Sequence, residues 1–334
     1  MYRKKIVCLL AALLLCLGGC GGGQPERGDS GGRKQETSAV NSGGGKEEAS
    51  GQEEGASKED FVPYTAPAFA GSAFHADKAQ GKGDIQVDLS AVSQGYVGVT
   101  GKAEKRMKCT ITKTDTEESY AYNLDNEGAP SIYPISCGDG SYLLKVLEQT
   151  VDSKYAVLYK VEFEVVLEDE FQPFLRPSDY VNYQENSACV KKAAELASGA
   201  EDALGVVAAV YDYICENVTY DNEKVRMVQE NKTYLPDPDD TIATGKGICF
   251  DYAALVAAML RSQGIPVKLI VGDVSPEAQR HAWNMFYTQE TGWVTVDFRV
   301  DADSWNRLDL TFSANGQGNS FIGDGENYTD LYTY

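Results

Sequence analysis

Cys249 stands in "GKGICFDYAALVAAML", Gly245 to Leu260, between a glycine-containing turn and a run with Ala253, Val256, Ala257 and Leu260 on one side. That periodicity predicts a helix beginning at the cysteine and stopped by "SQGIP". A helix start offers unpaired N–H groups and the positive end of the peptide dipole, and both favour thiolate over thiol. Such a sulfur becomes a working nucleophile when a base stands beside it. The chain has only 2 histidines, His75 and His281. His75, in "GSAFHADKAQGKG", has no chemical company in its sequence neighbourhood and reads as a surface residue.

His281 opens "HAWNMFYTQETGWVTVDFRVD", which reads as two strands with "TQET" and Gly292 in the turn region. A hairpin symmetric about Gln289 sets His281 opposite Asp297 and Trp283 opposite Thr295. Directly opposed side chains lie about 4.5–5.5 Å apart at Cβ, close enough for an imidazole to donate to a carboxylate. The pairing would make His281 an oriented base. A slip of one residue breaks it, and Asp301 or Asp303 then becomes the substitute for Asp297.

The elements that must hold these groups follow from the rest of the chain. "NSACVKKAAELASG" and "DALGVVAAVYDYICENV" carry apolar residues at helical spacing, and a polar stretch, "NKTYLPDPDDTIATG", leads into the cysteine. Upstream, between about Phe61 and Leu175, the signals are of strands. The clearest is "YAVLYKVEFEVVL", in which Tyr155, Val157, Tyr159, Val161, Phe163, Val165 and Leu167 alternate with less apolar neighbours. The two prolines of "PFLRPSDYV" mark a boundary. The expected fold class is α+β: a β-sandwich-like domain over 61–175, then an α+β domain over 176–334, with "YTDLYTY" as an edge strand.

The first residues, "MYRKKIVCLLAALLLCLGGC", read as an export signal over 1–19: basic residues, then an apolar run too short to span a bilayer. Residues 20–60 are rich in Gly, Ser, Glu, Gln and Lys and hold almost nothing that could be buried, which is the composition of a tether. The formal charge of −20, from 30 Lys plus Arg against 50 Asp plus Glu, argues against a nucleic-acid partner. The acidic runs "DPDD" (Asp237–Asp240) and "DAD" (Asp301–Asp303) lack the spacing of a calcium loop and read as solvated acidic loops, so no metal and no cofactor is expected. Outside the cytoplasm Cys109 with Cys137 and Cys189 with Cys215 could pair, and buried free thiols are the equal alternative.

Two resemblances add to this reading. "LGGC" resembles the lipobox of bacterial lipoproteins, which implies that Cys20 carries lipid and holds the protein to a membrane, facing outside the cytoplasm. "GKGICFDYAALVAAMLRSQGIPVKLIVG", then "HAWN" and "GWVTVDF", with "YDYICENVTYD" upstream, resembles the core of the transglutaminase-like superfamily, relatives of papain-type thiol enzymes. That resemblance covers roughly Asp179 to Asp303 and implies a papain-like domain with the cysteine at a helix start packed on an antiparallel sheet. It implies Cys249 as nucleophile, His281 as general base and acid, and Asp297 as the group orienting the imidazole. A thiolate–imidazolium pair attacks an amide carbonyl and holds the acyl group as a thioester, which water or an amine resolves.

The backbone N–H of Cys249 is then one oxyanion donor. Papain-type proteases place a glutamine where this chain has Ala243, so the second donor does not carry over; Tyr234 or the "TGKG" backbone is the substitute. Trp283, beside the base, is the candidate wall of an acyl channel, with Trp293 and Phe298 as further drying side chains and Gly245 and Gly247 leaving the other side open. The expected substrate is a protein or peptide at the cell surface, a cell-wall component among the options, with hydrolysis of an amide preferred to amine transfer. A non-catalytic binding protein on the same fold is the third reading.

Overall fold

The computed structural model describes residues 61–231, 233–274, 279–296, 300–301, 304–305 and 328–334. The expected export signal, Cys20 and the whole tether lie outside these residues, as do Asp297, Phe298 and Asp303.

Eight strands come first: β1 (Gln80–Lys82), β2 (Ile85–Asp88), β3 (Tyr96–Thr100), β4 (Met107–Lys113), β5 (Ser119–Leu124), β6 (Ser131–Pro134), β7 (Gly140–Gln149) and β8 (Tyr155–Val165). They make two antiparallel four-stranded sheets, in the orders β1-β2-β3-β6 and β5-β4-β7-β8. Alternation decides their buried faces. Met107, Cys109 and Ile111 on β4 and Tyr142, Leu144 and Val146 on β7 share a core with Val87, Val97 and Val99 of the other sheet. The rings of Tyr122 and Tyr133 stack at 4.4 Å, joining β5 of one sheet to β6 of the other.

On β8 the expected inward set is broken. The ladder shifts register between Val146 and Leu147, pairing Val146 with Tyr159 and Leu147 with Val157. Leu158 is thereby the extra residue of a bulge, and Val157 ends 51% exposed on this edge strand.

Five helices follow: α1 (Ala188–Ala197), α2 (Ala203–Asn217), α3 (Asn222–Glu230), α4 (Pro238–Thr244) and α5 (Cys249–Ser262). α4 occupies ground read in sequence as a polar approach, and α3 lies just before that stretch, where no helix was expected. Their starts are built on carboxylate caps: Asp221 accepts from the N–H groups of Glu223 and Lys224, and Asp237, with Pro238 behind it, accepts from those of Asp239 and Asp240. "DPDD" is therefore not a solvated loop. Asp239 also reaches back to accept from the Ala188 and Cys189 N–H groups at 3.0 and 2.9 Å, capping α1, whose own Ser187 makes no side-chain cap bond.

Between the helices run β9 (Thr219–Tyr220) and β10 (Lys246–Gly247), a short parallel pair. The remaining strands are β11 (Val267–Val274), β12 (Gln279–Thr288), β13 (Gly292–Val296), the small antiparallel pair β14 (Val300–Asp301) and β15 (Ser304–Trp305), and β16 (Tyr328–Thr333). The third four-stranded sheet is antiparallel in the order β13-β12-β11-β16, with β16 on its edge as the sequence suggested.

α5 is buried at every position from Phe250 to Ser262, packed by α1, α2 and α4 and laid on β11 and β12. A helix apolar all round belongs at a core's centre. Near its end stands Arg261, 1% exposed. Its guanidinium donates to the carbonyls of Val267, Tyr334 and Arg176 at 2.8–3.0 Å, and burial pushes its pKa down to about 10.

Candidate active site

Cys249 is positioned by its approach. α4 ends at Gly245, whose φ of +62° suits a residue without Cβ, and β10 then runs beside β9, pairing Gly247 with Tyr220. Ile248 is the N-cap of α5 and Cys249 its first residue. Gly247 is buried, and a Cβ there would come 2.8 Å from the Cβ of Asp251. Gly247 therefore packs against the start of α5 with no room for a side chain.

Asp251 is 0% exposed and lies two residues beyond the thiol. Its Oδ2 accepts from the Ile248 N–H at 2.8 Å and lies 3.1 Å from Lys224 Nζ, while its Oδ1 accepts from the Tyr234 hydroxyl. Lys224 also lies over the Tyr234 ring at 5.3 Å. A carboxylate held by three donors from three parts of the chain fixes the start of α5 against α3 and the loop before α4.

Tyr234 thus has its one hydroxyl proton committed to Asp251, which corrects its reading as an oxyanion donor. Tyr220 is placed differently. Burial, then the neighbouring Cys249 and Asp251, raise its pKa and keep it a neutral phenol near the sulfur. No motif singled it out; its signal was only its place in "NVTYD", whose short strand pairs with the residues before the cysteine.

The thiol itself is half-buried at the rim of the core that encloses the rest of α5. Cys109, Cys137, Cys189 and Cys215 are not joined in disulfides, so neither of the two pairings expected as options from sequence is formed. Burial pushes Cys137 up to about 11 and raises Cys109 and Cys189 well beyond the range in which a thiol ionises near neutrality.

His281 lies on β12, paired with Gly272 of β11, and its ring runs nearly parallel to that of Trp283 at 6.4 Å. Trp283 is 2% exposed and pairs with Ile270, so it forms part of the packed sheet beside the histidine. Trp293 packs on Phe171, Phe174 and Tyr287, with Lys268 Nζ 4.0 Å from its ring centre; it braces the segment entering the helical region instead of drying a channel.

The hairpin turns two strand positions differently from the symmetric reading. Thr288 pairs with Gly292 and Met285, not Trp283, pairs with Thr295, so the turn centres on Glu290. A three-residue loop ending at a glycine with φ of +67° accounts for the difference. β13 ends at Val296, opposite Asn284; Asp297 follows outside the described residues. Of its substitutes, Asp301 is described only as backbone in β14, and Asp303 lies outside.

The helix of Cys249 and the strand of His281 are joined directly. Asn284, 1% exposed, donates from Nδ2 to the Ala253 carbonyl at 3.0 Å. Sequence reading passed over Asn284, Asp251 and Lys224; the first two were visible only as polar residues inside otherwise apolar patterns.

His75, read as a bare surface residue, has company after all: its Nδ1 lies 3.0 Å from Oδ2 of Asp88, itself 1% exposed. Among the described residues no group of three or more His, Cys, Asp or Glu side chains could hold a metal ion.

Residues 190–298 match the model of the transglutaminase-like superfamily core. That interval contains Cys249, His281, Asp297, Asp251 and Asn284. Protein YebA of Bacillus subtilis is 27% identical over 122 residues, 31% of this chain and 16% of that one. Protein ML0607 of Mycobacterium leprae is 26% identical over 180 residues, 49% of this chain and 54% of its own. The chain thus spans a sixth to about half of these relatives. A solved TGase structure covers 55% of this chain and 48% of its own at 16% identity, with a TM-score of 0.30.

Proposed function

We propose that this chain, whose central segment is a transglutaminase-like core, is a cell-surface thiol enzyme acting on peptide or side-chain amides. Cys249 is the nucleophile, His281 the general base and acid, and Asp297 the group that orients the imidazole. One observation carries the reading: Cys249 is the first residue of α5, and α5 lies on β12, the strand of His281. The helix start favours the thiolate, and the attacked carbonyl's developing charge falls to the Cys249 N–H. Tyr220, a neutral phenol near the sulfur, is the second donor in this scheme.

Thiolate attack on the amide carbon gives a tetrahedral oxyanion; its collapse, with a proton from imidazolium, expels ammonia or a peptide amine and leaves a thioester. Water activated by His281 then releases the acid and restores the thiol. Hydrolysis is the preferred outcome because it requires only solvent access, and Cys249 lies at the rim. The excess of 50 acidic over 30 basic residues favours lysine-rich partners and keeps amine transfer as the second reading.

The purified chain, incubated with glutamine-containing peptides and a labelled primary amine, should yield free acid in excess of amine adduct by mass. Adduct in excess establishes transfer, and neither product alongside a reactive Cys249 favours a binding role. Anchoring through Cys20 belongs to the same proposal: Cys20→Ser should move the protein out of the membrane fraction or block its processing, and unchanged fractionation refutes it.

A further inference from the structure

His75 lines a cleft of about 360 Å³ between the arm entering β1 and the connection from β2 to β3. Lys78, Ser90, Gln94 and Tyr96 line it too, and no acidic residue does. The cleft wall thus carries a lysine and an imidazole.

The carboxylate of Asp88 lies behind this wall. Its Oδ2 accepts from the His75 N–H at 2.7 Å and faces Nδ1 at 3.0 Å; its Oδ1 accepts from the Ser90 N–H at 2.9 Å. Burial raises its pKa, but the donors from Ser90 and His75 outweigh burial and hold it below its ordinary 3.8. Asp88 is therefore ionised at neutral pH and fixes the ring.

Ser90 Oγ lies 3.5 Å from the same Nδ1, so Ser90, His75 and Asp88 are not a hydrolytic triad. That chemistry needs the carboxylate on one ring nitrogen and the hydroxyl on the other. With Nδ1–H directed to Asp88, Nε2 is the nitrogen left for a ligand, and it donates to an oxyanion when the ring is the imidazolium. The backbone N–H of Lys78 donates to the His75 carbonyl at 3.0 Å, so one turn carries both basic side chains. The Tyr96 hydroxyl accepts from the Ala73 N–H at 3.2 Å, which leaves its own proton to donate.

We propose that this cleft binds a small molecule bearing an oxyanion, a carboxylate or a phosphate, held between the His75 imidazolium, donating from Nε2, and the Lys78 ammonium. The proposal is independent of Cys249. Its test uses the full chain with 13C-labelled histidine: two histidines give two Cε1–H signals, assigned with His281→Gln. Succinate and inorganic phosphate are titrated separately at constant pH. The expected result is a saturable shift of the His75 signal alone with at least one probe; which probe acts decides between carboxylate and phosphate. Lys78→Gln, at an exposed position, should weaken that binding about tenfold, the worth of one charge-assisted contact. No saturable shift with either probe, equal movement of both histidine signals, or undiminished affinity in Lys78→Gln overturns the proposal.

Discussion

Asn284 reaches out of the third sheet to donate to the carbonyl of Ala253, one helical turn beyond the thiol. It is three residues beyond His281 on the same strand, so this buried bond ties the helix of Cys249 to the strand of His281. Its Oδ1 has no partner among the described residues, so Nδ2 carries the contact. Asn284→Leu should cost about 1–2 kcal/mol in a urea titration, the range for a buried hydrogen bond. It should also slow iodoacetamide alkylation of Cys249 more than a comparably destabilising change in the first sheets, such as Val97→Ala. Equal alkylation rates in the two variants would reduce Asn284 to packing.

Cys249→Ala and His281→Ala should each abolish acyl-enzyme formation, followed by intact mass, while the fold persists. Asp297→Ala should leave a residual rate, because orientation is lost while nucleophile and base survive. In the unmodified protein at neutral pH, peptide mapping should find alkylation at Cys249 before Cys109 or Cys189, whose burial raises their pKa. Early labelling of those two thiols would contradict their enclosure.

Lys224 is 14% exposed and its partner Asp251 0%, so Lys224→Met leaves a buried carboxylate without its cation. Removing one partner of such a pair typically costs about 3–5 kcal/mol. Calorimetric melting should show a loss of that order for Lys224→Met, whereas a loss below about 1 kcal/mol would show that solvent reaches Asp251.

Asp239 gives a prediction in pH. Burial raises its pKa, but the N–H groups of Cys189 and Ala188 outweigh it, and the net value falls below the ordinary 3.8. A lowered carboxylate stabilises the fold above its unfolded pKa, and that contribution is lost as pH falls through the folded value. Asp239→Asn should therefore be less stable than the parent by about 0.3–1 kcal/mol at pH 7, the worth of a negative charge at a helix N-terminus. The gap should shrink below pH 3.8, read from urea midpoints at pH 7 and pH 3. A gap that is constant with pH would assign the effect to shape instead of charge.

What could be read from sequence divides along physical lines. The start of α5 at Cys249 and the edge strand β16 were legible because local periodicity and stop signals determine them. The register of β12 on β13 was not: a loop one residue to either side reads equally well, and only the backbone geometry at Gly292 selects between them. α3 was missed because its exposed polar surface conceals a helical pattern, although Asp221 announces its cap. Asp88 beside His75, and Lys224 beside Asp251, meet through tertiary packing, and a linear reading has no signal for that.

Arg261 sets an order of assembly. Its guanidinium is satisfied by carbonyls 85 residues earlier and 73 residues later as well as by its neighbour Val267. Such distant contacts form after local ones, because loop closure must precede them. The tail of the helix of Cys249 therefore completes its buried bonds only once Tyr334 has docked against Leu269. The thiol at position 249 is thus synthesised well before the residue that completes the packing of its helix.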